Sequence, residues 1–181
     1  ADFADTVAVY LAEVTKLADD RRAQDAKRVK LLSDGAFEQA SDPLNPVGPA
    51  PDKAATPRIE FAALANAVDR LGKAAKAYDA AYAEKGAGIS SQARVKLNAL
   101  LLDISQLLLD ERGLPQREWY RHMIYAPGRF TGYGAKTLPG VREAIEERRF
   151  DDANLYATRI AAVLDAYSAR LDAARAVIVG P

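Results

Sequence analysis

Apolar residues recur at three- and four-residue steps through four long segments, a spacing that gathers them on one face of an α-helix. In the first, Phe3, Val7, Tyr10, Leu11, Val14 and Leu17 form the stripe. It weakens at Val29 and Leu32 and ends before Ser33-Asp34-Gly35. In the second, Thr56 is a suitable N-cap and Pro57 suits the first helical position. Phe61, Leu64, Val68, Leu71, Ala75, Tyr78 and Tyr82 follow in near-heptad order, and Gly86 stops them. The third opens at Ser90 or Ser91 and carries Leu97, Leu100, Leu101, Ile104, Leu107 and Leu108. Leu102 and Leu109 widen its stripe, so it is expected to be the most buried helix, ending at Gly113 and Pro115. A short helix over 141–149 precedes the last long one, which starts after Phe150 with Asp151 as N-cap. Tyr156, Ile160, Val163, Tyr167, Leu171 and Ala174 make its stripe. A helix of about 26 residues is about 39 Å long. Four such helices predict an all-α four-helix bundle, mostly up-and-down, with no convincing strand.

Two stretches break the pattern. Residues 33–57 form a proline-rich loop, with Pro43, Pro46, Pro49, Pro51 and Pro57 excluding helix and central strand. Residues 113–140 interleave Trp119, Tyr120, Tyr125, Phe130 and Tyr133 with glycines and prolines. So many aromatics predict an ordered irregular segment ahead of the last helices. The whole of 1–181 reads as one domain with a real core.

The chemistry expected of such a chain is limited. Lysine plus arginine number 25 and aspartate plus glutamate 25, which gives no basic surplus for nucleic acid. No apolar run approaches the roughly 18 residues of a membrane span, so no membrane contact is expected from this segment. There is one histidine, His122, and no cysteine, too few ligand types for an autonomous zinc or di-iron site. Adjacent carboxylates such as Asp19-Asp20 and Glu146-Glu147 diverge by about 100° on a helix and read as solvated faces. No catalytic residue or metal ligand is assigned. The chain opens at Ala1 with no signal-peptide pattern, as expected of a mature or excised fragment, and an exported parent, periplasmic or extracellular, is compatible with that.

One run is more specific. Gly113-Leu114-Pro115 is followed by Trp119-Tyr120-Arg121-His122-Met123-Ile124-Tyr125-Ala126-Pro127, then Gly132-Tyr133 and Leu138-Pro139-Gly140. This order resembles the C-terminal helical domain of glutamate carboxypeptidase II-like zinc metallopeptidases, the transferrin-receptor-like dimerisation domain. The resemblance implies a non-catalytic domain that forms a homodimer and packs on its own protease and apical domains. It places zinc in the absent protease domain. It implies a loop reaching the parent's substrate pocket, with Tyr133 holding the substrate's α-carboxylate. A lysine expected beside that tyrosine is replaced by Gly132, and Arg129 and Lys136 are the nearby cations that could compensate. Trp119, Tyr120, Arg121, His122, Tyr125 and Pro127 are the expected structural or interface residues of the loop. Trp119 is expected as a core or interface anchor, and Arg121 and His122 as groups that satisfy backbone carbonyls.

Two other readings compete with this one. The domain of a catalytically dead, transferrin-receptor-like relative would bind a partner protein. A stand-alone helical bundle would bind a small ligand.

Overall fold

The computed structural model describes residues 1–36, 42, 44, 55–132 and 134–180. Much of the expected 33–57 loop, including Pro43, Pro46, Pro49 and Pro51, lies outside them. The described chain is mostly helical. Helix α1 is Asp2–Ser33, α2 is Ala62–Lys85, α3 is Ser91–Leu101, α4 is Pro139–Glu146 and α5 is Phe150–Val179. Short 3-10 turns occupy Gly86–Gly88 and Ile104–Leu108. Strands β1, Tyr125–Pro127, and β2, Ala135–Thr137, pair antiparallel with Tyr125 opposite Thr137. This hairpin corrects the expectation of no strand. Three residues per strand carry too little alternation to stand out from the turns around them.

Helix α5 is the axis of the molecule and makes its most extensive contact with α2. Ala67, Ala74 and Ala75 of α2 and Ala153, Ala157 and Ala161 of α5 are buried, which lets the backbones approach closely. Leu64, Leu71, Ile160 and Leu164 fill the spaces between them, each fully buried. A side chain of that size contributes about 1.5–3 kcal/mol when removed from water. Val7 and Val14 of α1 and Val141, Ala144 and Ile145 of α4 join the same core. Leu164 belongs to it although the expected α5 stripe omitted it.

Three boundaries differ from expectation. Helix α2 starts at Ala62, and Thr56 and Pro57 precede it in chain without regular secondary structure. A tertiary bond holds Thr56 there: its amide and hydroxyl both donate to Asp25 of α1, at 2.9 and 2.6 Å. The third helix ends at Leu101, so it has 11 residues where α1, α2 and α5 have 32, 24 and 30. Within it only Leu97 is buried. The leucine-rich stretch is therefore the least covered of the long apolar patterns, the reverse of the expectation. The short helix runs Pro139–Glu146, and α5 takes Arg149 rather than Asp151 at its N-cap, with Asp151 and Asp152 in the first turn. There they favour the positive end of the helix dipole. Ser90 caps α3 as expected, accepting from the Ala93 amide at 3.1 Å.

Candidate functional site

The irregular segment is ordered by its own backbone before any side chain acts. The Asp110 amide donates to Arg121 O and the Met123 amide to Leu108 O, each at 2.9 Å. Leu109 and His122 thus face each other in an antiparallel bridge. The Leu114 amide donates to Tyr120 O at 2.9 Å and closes the turn between. Gly113 sits in that turn at φ +65°, and a Cβ there would lie 2.1 Å from Glu118 O, so the position admits only glycine. Its carbonyl accepts the Tyr156 hydroxyl of α5 at 2.7 Å.

A buried ion pair then fixes the segment to α4. Arg117 and Glu143 meet at 2.7 Å, with both side chains only 6% exposed. Arg117 also donates to Pro127 O at the end of β1. The other Glu143 oxygen accepts the Arg129 amide at 2.8 Å. One carboxylate thereby joins the turn, the hairpin and α4. Two more glutamates complete the clamp. Lys136 reaches Glu146 at 2.9 Å and Arg129 reaches Glu147 at 3.0 Å. Sequence reasoning missed Arg117 and Glu143. The available signal was the position of Glu143 among the apolar residues of the short helix.

The expected loop residues divide by role. Trp119 is 72% exposed and Phe130 79%. Trp119 is therefore no core anchor; its ring leans on Tyr120, 6.2 Å between centroids. Tyr120 lies beneath the Arg117 guanidinium at 5.2 Å. Arg121 contributes its carbonyl to the ladder while its side chain stays in solvent. His122 satisfies amides instead of carbonyls: its Nδ1 faces the N–H groups of Ile124 and Tyr125 at 3.3 and 3.2 Å. Burial lowers its pKa, keeping the ring neutral, and it packs 4.1 Å from the Tyr125 ring. Pro127 closes β1.

Between the strands the chain turns at Gly128 and Gly132, the latter at φ +59° with open space where a Cβ would be. Tyr133 lies outside the described residues. Neither cation considered as a substitute for a lysine at position 132 is without a carboxylate, since Arg129 and Lys136 are those already paired with Glu147 and Glu146. Among the described residues no three His, Cys, Asp or Glu side chains gather as metal ligands, and no helix is long and apolar enough to cross a membrane.

This arrangement leaves Trp119, Tyr125 and Phe130 exposed, the last two on the hairpin. The model of the transferrin receptor-like dimerisation domain matches residues 59–172, from the chain ahead of α2 into α5. The chain belongs to that family. Curated relatives include a probable glutamate carboxypeptidase of Arthroderma benhamiae, 47% identical over 55 residues, which are 30% of this chain and 8% of the relative. A probable glutamate carboxypeptidase of Arabidopsis thaliana is 36% identical over 92 residues, 50% of this chain and 13% of the relative. An inactive zinc metalloprotease of Schizosaccharomyces pombe is 35% identical over 68 residues, 38% of this chain and 8% of the relative. The matched stretch is thus a small part of each of these proteins. The transferrin receptor-like dimerisation domain implies self-association. Its match begins at residue 59 and leaves out α1, which the structure nonetheless packs into the same core through Val7 and Val14.

Proposed function

We propose that this chain is the non-catalytic dimerisation domain of a glutamate carboxypeptidase-like zinc peptidase, and that its hairpin loop borders the parent's substrate pocket. The observation that supports it is the family match over 59–172, which includes the aromatic hairpin clamped by Arg117 and Glu143. Zinc and the residues that activate water belong to the parent's protease domain in this reading. The exposed Trp119, Tyr125 and Phe130 suit a face that packs on that domain, because aromatic side chains supply much contact area at low entropic cost. The helical frame itself acts as the up-and-down bundle expected from the sequence, with α3 a shortened member.

At the loop, Tyr133 donates its hydroxyl to the substrate's C-terminal carboxylate. Gly132 lacks a side chain, and Arg129 and Lys136, the two nearby cations considered in its place, are paired to glutamates. The substrate class in this reading is a peptide with a free C-terminus, and the departure at Gly132 puts a preference for a glutamate last residue in doubt. A hydrogen bond to a charged partner contributes about 1.5–3 kcal/mol, so Tyr133→Phe in the parent raises KM about ten- to a hundred-fold. Kinetics equal to wild type would reduce Tyr133 to loop packing.

A second reading is favoured by the likeness to the inactive Schizosaccharomyces pombe protein. In that reading this domain serves a catalytically dead parent and binds a partner protein. The parent's zinc content and peptidase activity separate the two.

A further inference from the structure

The loop that carries Tyr133 is held by two grips, one nested inside the other. The inner grip is Gly128. Its amide donates to Gly134 O at 2.9 Å and its carbonyl accepts the Gly132 amide at 3.1 Å, so it binds the residue on each side of position 133. The outer grip is Glu143, and it holds the residue on each side of Gly128. One of its carboxylate oxygens accepts the Arg129 amide at 2.8 Å. The other takes Arg117 at 2.7 Å, and Arg117 donates a second N–H to Pro127 O. Glu143 and Arg117 are both buried, so water does not compete for these bonds. Glu143 is itself fixed to the core, because Val141, Ala144 and Ile145 beside it on α4 are fully buried.

We infer that Glu143 is a positioning residue for the parent's substrate: without touching it, the Glu143 carboxylate sets where the Tyr133 hydroxyl meets the substrate's C-terminal carboxylate. The inference rests on the pocket reading above and names the residue that governs that contact. No bond of Glu143 is spare. Both oxygens are used, and they act on opposite sides of one glycine. The Arg129–Glu147 and Lys136–Glu146 pairs are partly exposed and tie side chains, whereas Glu143 holds main chain, at Arg129 directly and at Pro127 through Arg117. A hydrogen bond weakens steeply as its length and angle leave the optimum, so a loop displaced by about 1 Å loses much of what Tyr133 contributes. Peptide cleavage belongs to the protease domain in this reading. Glu143 therefore acts on KM and leaves kcat alone. A role confined to stability does the opposite: it lowers the number of active molecules and leaves KM unchanged.

Steady-state kinetics of the full-length parent test this. Glu143→Gln is expected to raise KM about tenfold with kcat unchanged, and by no more than Tyr133→Phe does, since it acts through that hydroxyl. In a Tyr133→Phe background it should add less than about twofold. Leu164→Ala, a core variant between α2 and α5, loses stability without loosening the loop and should keep the wild-type KM. Gly128→Ala leaves the buried pair intact and decides the matter if Glu143→Gln does not fold. Its methyl would stand 2.3 Å from Thr131 Oγ1, so KM is expected to rise, and adding Thr131→Ala to bring it back. A wild-type KM in Glu143→Gln, or in Gly128→Ala where Glu143→Gln does not fold, beside a raised KM in Tyr133→Phe, would overturn the positioning role and leave the Tyr133 contact standing. A KM raised equally by Leu164→Ala would do the same. A wild-type KM in Tyr133→Phe, or a parent without peptidase activity, ends the pocket reading and this inference with it.

Discussion

Tyr156 donates its hydroxyl to the carbonyl of Gly113 at 2.7 Å, across 43 residues of sequence. Its ring lies so close to Gly140 that a Cβ there would come within 2.3–3.0 Å of it. One side chain of α5 thus sets the positions of the turn and of α4 together.

Removing the hydroxyl with Tyr156→Phe leaves the buried Gly113 carbonyl unpaired, at a cost of about 1–3 kcal/mol. Gly140→Ala drives a methyl into the ring and costs about as much, in the range of overpacked cores, roughly 1–3 kcal/mol. Gly113→Ala meets both a left-handed φ and the Glu118 backbone and is expected to be the worst of the three. Urea unfolding monitored by circular dichroism gives the order; a Gly113→Ala chain as stable as wild type would contradict the turn described.

Arg117 and Glu143 behave as a unit. Breaking a buried pair from one side leaves an uncompensated charge and costs about 3–5 kcal/mol. Glu143→Gln and Arg117→Met are each expected to lose stability on that scale. The double variant Arg117→Met, Glu143→Gln is expected to lose much less than their sum, because no charge remains buried. Additive losses in the double-mutant cycle would mean that the two groups do not interact.

Asp25 makes stability depend on pH. The Arg148 guanidinium first, then the Thr56 hydroxyl and amide, hold its carboxyl well below the usual carboxylate range despite its burial. A depressed folded pKa contributes stability that is complete above the unfolded value, about 3.9, and is lost as pH falls below it. Asp25→Asn is expected to be less stable at neutral pH, and to lose less stability than wild type as pH drops below about 4. Parallel curves of unfolding free energy against pH would remove Asp25 from that role.

Leu164→Ala opens a cavity between α2 and α5 and is expected to cost about 2–5 kcal/mol. Leu102→Ala, on the exposed face of α3, should change the monomer's stability by less than about 0.5 kcal/mol. Thermal or denaturant midpoints at low protein concentration check the contrast.

The helices were legible wherever one periodic face meets one neighbour. The α1, α2 and α5 stripes follow this rule, and the structure buries Val7, Leu71 and Ile160 from them. The third helix was not legible in this way. Periodicity reveals an apolar face but not what covers it, and Leu102 looks the same whether a core or another molecule is opposite. Thr56 and Pro57 carry a good local start signal, yet a tertiary bond to Asp25 holds Thr56 outside the helix. At the loop, the spacing of Trp119, Tyr120 and His122 marked the segment, while the Arg117–Glu143 pair that orders it is formed by residues 26 positions apart. Local pattern has no access to a pairing at that separation.

The clasp at Asp25 also bears on the order in which the chain assembles. Its carboxylate takes Thr56, 31 positions later, and Arg148, 123 positions later. Closing a loop costs entropy before the bond repays it, and more so as the loop lengthens. On this cost the α2–α5 contact, rich in alanine and leucine, is expected to form before Asp25 closes on Arg148. Asp25 can recruit Arg148 only once the α4–α5 turn exists. The lower half of α1, with Val29 and Leu31 exposed, is then the last long helical stretch to dock and the first to open. Amide hydrogens near residues 26–33 should exchange well before those of α5, and that end of the molecule would be the entry point for proteolysis.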